Sequence, residues 1–562
     1  MKVIIVGGVA GGATAAARIR RLDEKAEIKV FERSGYVSYA NCGLAYYIGD
    51  VITDPSELTL QTPESFKKRF RVDMKVRHEV IDINPNAKTV SVKDLESGNI
   101  INENYDKLIL APGAKPVRPE IPGVNSDKIF TLRTVEDTFR IKDFVNSEKP
   151  KSAAIIGGGF VGVELAENLR SLGMEVTVVE AAKQLLSPFD PDMASFVHSE
   201  IRKNGVNLVL GSSVEGFSEN EGKIDVLLKG GKISADMVAL AVGVSPDTPL
   251  AKKAGLRTGL RGSIIVNEKM ETSVPGIYAV GDAVQVKNSV TGTDTLGFLA
   301  GPANKQARIA ADNICGIKNS IYKGFSGTSV VKVFDLTAAS TGIKESAAKS
   351  AGIDFDKVIL SPLSHAGYYP GGKVMTMKVL FEKKSFRILG AQIIGYDGVD
   401  KRIDVIATAM KAGMKATELK ELELSYAPPY SSAKDPVNMA GFMIDNIANG
   451  TLKQWFIPDL EKLPKSGYTL LDTRTVREFE RGHIEGFKNI PVDELRERIS
   501  EIEKEKPVYV ICQSGLRSYI ASRILEGNGF TAYNFAGGFR FYDAVMNDKN
   551  LIESSFPCGM DK

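Results

Sequence analysis

Cysteine and histidine are scarce: four of each in 562 residues. Cys42, Cys315, Cys512 and Cys558 lie far apart, with no CxxC pair and no Cys/His pair at metal-ligand spacing. A structural zinc site is therefore not expected, nor any other metal. A disulfide framework is not expected in a chain with cores this large. A cysteine that matters here should act as a single thiol. His78, His198, His365 and His483 are too few and too scattered to supply acid–base chemistry at every site. No apolar run approaches the ~20 residues of a membrane span. The opening MKVIIVGG lacks the apolar stretch and cleavage site of a secretory signal. A cytoplasmic location without membrane contacts is the expectation. Charge of one sign is lacking too: Lys+Arg total 72 against Asp+Glu 69, a net +3. That balance gives no global reason to bind nucleic acid. Hydrophobic residues at 43% and charged residues at 25% exclude disorder for the bulk of the chain. At ~150 residues per domain, the length predicts three or four domains.

What is present begins with the β-branched run Val3-Ile4-Ile5-Val6, suited to a buried parallel strand. Gly7-Gly8-Val9-Ala10-Gly11-Gly12 follows, then an Ala-rich helix over about 13–21, then strand 28–31 ending in Glu32. This β-turn-α-β unit places an acid where a ribose hydroxyl needs an acceptor. Val9 replaces the middle glycine of G-x-G-x-x-G, with Gly8 and Gly11 as alternatives for close pyrophosphate approach. The pattern returns with strand Ala153–Ile156, the full fingerprint Gly157-Gly158-Gly159-Phe160-Val161-Gly162, a helix, and strand Val176–Val179 ending in Glu180. A pyrophosphate fits the helix N-terminus. Glu180 would accept from a 2′-hydroxyl and repel a 2′-phosphate, which favours NADH over NADPH. Two further strand-turns stand out, Ala111-Pro112-Gly113 and Gly281-Asp282.

Together these four motifs resemble the flavoprotein disulfide reductase family over roughly residues 1–445. The resemblance implies FAD at the first fingerprint and NADH at the second, on two Rossmann-like α/β domains. It assigns FAD contacts to Gly7, Val9, Ala10, Gly11, Gly12, Glu32 and Arg33. Ala111, Pro112, Gly113, Gly281, Ala300 and Ala303 join them, and Asp282 would hold the ribityl chain. NADH contacts fall to Gly157, Gly159, Phe160, Val161, Gly162, Glu180 and Gly243, with Phe160 gating the flavin face. The FAD domain would comprise 1–115 and 243–324, the NADH domain 116–242, and an α+β dimerisation domain 325–448, giving a C2 homodimer.

The chain has no CxxxxC redox pair. It has Ser38-Tyr39-Ala40-Asn41-Cys42-Gly43-Leu44 directly after the first unit. This segment resembles the single-cysteine branch: coenzyme A-disulfide reductase, NADH oxidase and NADH peroxidase. A lone thiolate there can carry oxygen as a sulfenic acid or sulfur in a mixed disulfide. Ala10 stands where the peroxidases place a catalytic histidine, which counts against peroxide chemistry. The coenzyme A-disulfide reductase branch uses two tyrosines from the partner subunit; the matching residues are Tyr368 and Tyr426. Its substrate positions match Thr14, Arg18, Arg21, Ser38, Asn41 and Lys434, so coenzyme A is the implied ligand. Asn304 stands where that branch has a histidine, and Phe70 where it has a lysine.

The Gly, Pro and Lys content of the stretch that starts at 445 suggests a domain boundary, and 449–466 read as a linker. About 95 residues follow, enough for one small domain. Strand 468–474 ends in Asp472-Thr473-Arg474. Strand Val508–Ile511 leads into Cys512-Gln513-Ser514-Gly515-Leu516-Arg517-Ser518 and a helix over 519–525. Backbone N–H groups at a helix start, with Arg517, should favour an anionic sulfur on Cys512. The LLDTR, GHI, C-x-x-G-x-R and Gly-Gly-Phe elements resemble a single-domain rhodanese over 467–562, with Cys512 and Arg517 catalytic. Cys315 and Cys558 carry no motif.

As a whole the chain resembles coenzyme A-disulfide reductase–rhodanese fusions, the NADH-dependent persulfide reductases. The resemblance implies NADH-driven cleavage of the S–S bond in a persulfide of coenzyme A or another small thiol, in a polysulfide, or in coenzyme A disulfide. Two rivals stay open: an NADH oxidase or plain disulfide reductase with an accessory rhodanese, and a non-catalytic sulfur carrier or redox sensor. A sulfur-donor protein for Cys512 is a further expected partner.

Overall fold

The computed structural model describes residues 1–554; Cys558 lies outside them. The chain divides into two compact units, 1–181 with 205–326, and 182–204 with 327–562.

The first unit contains two parallel five-stranded sheets built alike. In one, Lys2–Val6 is central, with Glu27–Phe31 and Lys107–Leu110 on either side and Asp73–Lys75 and Ile277–Ala279 at the edges. In the other, Ser152–Ile156 is central, flanked by Glu175–Glu180 and Met237–Leu240, with Val206–Leu210 and Ile129–Thr131 outside. The central strands are apolar because helices cover both faces of such sheets; Val3, Ile4, Ile5, Ala154 and Ile155 are fully buried. Each central strand turns into a helix, Ala10–Leu22 and Phe160–Ser171. The first starts three residues earlier than the alanine content alone suggested, because Ala10-Gly11-Gly12 can adopt helical backbone once the turn is anchored.

The second unit contains an antiparallel sheet in the order Ser329–Val333, Leu336–Gly342, Ile388–Gly395, Met375–Glu382, Phe355–Leu360. Helices Val399–Ala412 and Pro436–Ala448 share its core. A parallel sheet follows, ordered Gln454–Trp455, Ala532–Phe535, Val508–Ile511, Thr469–Asp472, Lys488–Asn489. Its edge strand corrects the linker reading of 449–466: Gln454 and Trp455 pair with Asn534 and Phe535. Trp455 is 2% exposed among Phe487, Tyr509 and Phe535. Truncating such an aromatic to alanine costs about 3–5 kcal/mol, so this stretch is part of the fold. Helix Pro191–Lys203, inside the segment read as NADH-binding, groups with this unit. Buried His198 there contacts Asp548 through Nδ1 at 2.7 Å and accepts from the Leu185 N–H through Nε2 at 3.0 Å. Arg202 donates to the same carboxylate.

Candidate active sites: two nucleotide turns and two thiols

The two fingerprint turns share one geometry. Gly7 and Gly157 have φ of +95° and +110°, the left-handed region. A Cβ at either would lie 2.1 or 2.3 Å from a carbonyl oxygen of the neighbouring strand end, Ala111 or Ala241. A Cβ on Gly12 or Gly162 would fall 1.8 or 2.0 Å from the oxygen of Gly7 or Gly157. These glycines therefore set helix against strand. Gly159 differs: an added Cβ would meet only open space. Its role is compatible with backbone approach by a ligand, and the helix N-terminus behind it favours an anion. The Glu32 carboxylate accepts from the N–H groups of Gly8 and Ser34 at 2.8 and 2.9 Å. Burial raises its pKa against the pull of those donors. Glu180 accepts from Gly158 N–H at 2.7 Å. Both acids stand at the end of their second strand, within reach of the turn, so the residues fit two dinucleotides. At the first turn a Cβ on Gly8 would lie 2.9 Å from the Val37 side chain and one on Gly11 3.0 Å from that of Val280, so neither is open as Gly159 is.

Cys42 lies on a short 3-10 turn, Asn41–Gly43, open to solvent on one side. Two ties fix this loop. Ser38, at φ +47°, donates its N–H to the carbonyl of Gly8 at 2.9 Å. With its amide oriented to satisfy both partners, Asn41 donates to the Arg133 carbonyl at 3.0 Å and accepts from Nη1 at 3.2 Å. Arg133 Nη2 pairs with Asp282 at 2.7 Å. The thiol thus hangs between the first fingerprint and the Gly281-Asp282 motif. Gly281 is anchored by the Gln306 side chain at 2.7 Å on helix Ala300–Ile314, which also carries Ala300 and Ala303. Partial burial and the Glu164 carboxylate push the Cys42 thiol above its ordinary pKa, with Arg133 opposing. Glu164 itself is raised to about 7 by burial, against a hydrogen bond from the Tyr46 hydroxyl at 3.5 Å. Arg133, Glu164 and Tyr46 were invisible as site residues in the sequence, since none belongs to a motif that names its partner.

The expected coenzyme A positions divide. Thr14 Oγ1 donates to Asn304 at 2.7 Å, bringing two of them together. Arg18 is held by Asp312 at 2.7 Å, a partner the sequence reading did not foresee. Arg21 and Lys434 are exposed. Phe70 turns its ring to Phe66, while its carbonyl accepts from Arg20. Arg33 pairs with Asp247 at 2.6 Å. Gly113 and Gly243 both have positive φ, and the Gly243 carbonyl accepts from the N–H of Val117. Phe160 is half-buried, and Val161 is exposed at the start of its helix. Cys315 ends helix Ala300–Ile314 and packs on its core.

In the second unit, Tyr368 and Tyr426 are exposed and their hydroxyl oxygens lie 2.5 Å apart. The Cys512 side chain is fully buried at the end of strand Val508–Ile511. Its sulfur accepts from Gly515 N–H at 3.1 Å and Ser518 Oγ–H at 3.2 Å. Gly515, at φ +100°, turns the loop into helix Leu516–Gly527, which starts earlier than expected. Arg517 faces Glu478 in a two-bond pair, 2.7 Å on each side. The sequence placed Arg517 beside the sulfur without this carboxylate partner.

Among the described residues, no cluster of three or more His, Cys, Asp or Glu could hold a metal, and no helix is long and apolar enough to cross a membrane.

Comparison with known proteins agrees with this geometry. The pyridine nucleotide-disulphide oxidoreductase profile matches residues 1–311, its dimerisation domain 328–436, and a rhodanese-like domain 457–544. A coenzyme A disulfide reductase of Staphylococcus haemolyticus is 37% identical over 441 residues, 78% of this chain and 98% of that protein. The crystal structure of reduced Bacillus anthracis CoADR-RHD superposes with TM-score 0.95 at 49% identity, covering 97% of this chain and 98% of that one. An NAD-dependent persulfide reductase from A. fulgidus superposes at 0.90 with 38% identity, over 96% and 100%. The chain belongs to the pyridine nucleotide-disulphide oxidoreductase family, the FAD- and NADH-using flavoproteins, and carries a rhodanese-like domain at its C-terminal end.

Proposed function

We propose that the protein uses NADH to reduce the S–S bond of a coenzyme A persulfide or a related small-thiol persulfide or polysulfide, releasing sulfide. Coenzyme A disulfide is the second substrate of the same site. The observation that carries this reading is the suspension of Cys42 between the two FAD-binding motifs, by Ser38 on Gly8 and by Asn41–Arg133–Asp282. A single thiol so placed can exchange with a disulfide and accept electrons afterwards. Relatives named coenzyme A disulfide reductase and NAD-dependent persulfide reductase support the substrate class.

Bound FAD supplies the relay that brings NADH electrons to sulfur. Cys42 thiolate attacks the thiol-bearing sulfur of the persulfide, expels HS⁻ and forms a disulfide with the thiol. Two electrons then break that bond and restore both thiolates. Tyr368 and Tyr426 of a second copy donate a proton to a departing thiolate, which makes the homodimer the active form. Thr14, Asn304, Ser38 and Asn41 position the substrate, while Arg21 and Lys434 answer its phosphates. Glu32 and Glu180 accept ribose hydroxyls of FAD and NADH. Cys512 accepts sulfane sulfur and supplies it onward. The cytoplasm, with its NADH and coenzyme A pools, is the proposed location.

The test is anaerobic NADH oxidation with coenzyme A persulfide, coenzyme A disulfide and polysulfide, scoring sulfide, in wild type, Cys42→Ser and Cys512→Ser. Preference for persulfide, sulfide release and a dead Cys42→Ser are expected. Preference for disulfide with no sulfide would make the protein a plain disulfide reductase and remove the rhodanese fusion as evidence of substrate.

A further inference from the structure

The charged groups around Cys512 cancel before any sulfur donor arrives. Arg517 is locked to Glu478 by two bonds of 2.7 Å, and both side chains are 31% exposed. Glu478 is kept ionised: Arg517 and the helix start at Thr475 hold its pKa down to about 2. The second arginine of the neighbourhood, Arg474, is buried against Asp472 at 2.7 Å and lies beneath the Phe539 ring, 3.9 Å from its centre. Each of these two cations thus faces a carboxylate, and neither is left free to meet an incoming anion at Cys512. Val476 and Leu516, sequence neighbours of Glu478 and Arg517, are 51% and 66% exposed.

We infer that Glu478 sets the donor class of the rhodanese-like site, turning it away from a small dianion such as thiosulfate and toward a persulfide carried on an uncharged organic thiol. The inference rests on the reading of Cys512 as the sulfur-accepting thiol. With thiosulfate, Cys512–S⁻ attacks the outer sulfur, that sulfur's bond to the central one breaks, and sulfite leaves with the electron pair. With an organic persulfide, Cys512–S⁻ attacks the terminal sulfur and RS⁻ leaves. Both routes end in Cys512–S–S⁻, so the product does not discriminate; the approach does. A dianion meets the Glu478 carboxylate beside an arginine already paired with it. A monoanionic persulfide on an apolar arm meets half that repulsion, and the arm finds Val476 and Leu516.

The experiment loads full-length protein with sulfane sulfur from thiosulfate or from N-acetylcysteamine persulfide and follows the one-sulfur mass gain on the Cys512 peptide with time. Wild type is expected to load faster from the persulfide. Glu478→Gln keeps the side-chain length and one acceptor oxygen but removes the charge. It should raise the thiosulfate-to-persulfide rate ratio about tenfold. Thr475→Val disturbs the same helix cap, through the hydroxyl that accepts from Glu478 N–H, and should leave the ratio at the wild-type value. Salt supplies a measurement that needs no variant: raising ionic strength should narrow the wild-type gap. A ratio unmoved by Glu478→Gln, the same shift in Thr475→Val, a gap indifferent to salt, or faster wild-type loading from thiosulfate overturns the inference. Absence of loading from both donors in wild type and variants overturns the sulfur-accepting role of Cys512 itself.

Discussion

The hydroxyl oxygens of Tyr368 and Tyr426 lie 2.5 Å apart on the surface of the second unit. In such a pair one phenol donates to the other, and the acceptor's own proton points outward. Tyr368 is pushed above the ordinary phenol pKa by this contact with Tyr426, so Tyr368 stays protonated at neutral pH and can serve as an acid. Replacing either by Phe should lower kcat for S–S cleavage about 10- to 100-fold while leaving the reduction of bound flavin by NADH unchanged. The double variant should cost much less than the product of the singles, since the two act as a unit. Stopped-flow traces of the two half-reactions check this; slowing of the NADH step would remove the tyrosines from the proton-donating role.

Dilution should reveal the same dependence on a second copy. Specific activity is expected to fall as the protein passes from dimer to monomer, in step with mass measured by sedimentation. Full activity in a monomer would show that no partner tyrosine is needed.

Glu164 carries a pH signature. Its pKa rises from the ordinary 4.5 to about 7 through burial. Between those values the native state holds a proton that the unfolded chain has lost, so stability falls as pH rises from about 4.5 to 7. The full cost, at most about 3 kcal/mol, is present above pH 7. Glu164→Gln should therefore be the more stable protein at pH 8 and lose that advantage toward pH 4.5. Because the Glu164 carboxylate disfavours the Cys42 thiolate, the same variant should shift alkylation of Cys42 to lower pH. Urea unfolding at several pH values and iodoacetamide kinetics read the two effects; superimposable profiles for variant and wild type would count against both.

Glu180 should govern the choice of nucleotide. Its carboxylate, at the end of Glu175–Glu180 and bonded to Gly158 N–H, would repel a 2′-phosphate. Glu180→Ala is expected to narrow the NADH-to-NADPH ratio of kcat/KM by about tenfold or more, mostly through weaker NADH use. An unchanged ratio would place the discriminating group elsewhere.

Gly12→Ala and Gly162→Ala should each abolish binding at one nucleotide turn, since the new methyl would fall 1.8 or 2.0 Å from a carbonyl oxygen. Loss of the yellow colour for Gly12→Ala, and a coloured protein blind to NADH for Gly162→Ala, are the expected phenotypes.

The parts legible in sequence are those written locally. Each nucleotide turn is encoded within some thirty consecutive residues by strand, glycines, helix and acid, and the Cys512 loop within seven. Charge pairing between distant segments was not legible. Arg133 comes to Asn41 and Asp282 from a stretch with no motif, and Glu478 reaches Arg517 across 39 residues. Arg18 looked like a phosphate ligand because its helix face was visible and Asp312, 294 residues away, was not. The linker reading failed for a related reason: Gly, Pro and Lys content described 449–466, but the burial of Trp455 decided its structure.

The contact of His198 and Arg202 with Asp548 bears on how this chain can be cut. A protein shortened before residue 457 to mimic the rhodanese-free relatives would strip the carboxylate from a fully buried imidazole and leave the guanidinium of Arg202 without its acceptor. Removing one partner of a buried polar pair costs more than the pair contributed. The C-terminal domain is therefore not a detachable cassette. A working truncation needs compensating changes at His198 and Arg202, and losses of expression or activity in an uncompensated one report on that exposed seam before they report on sulfur transfer.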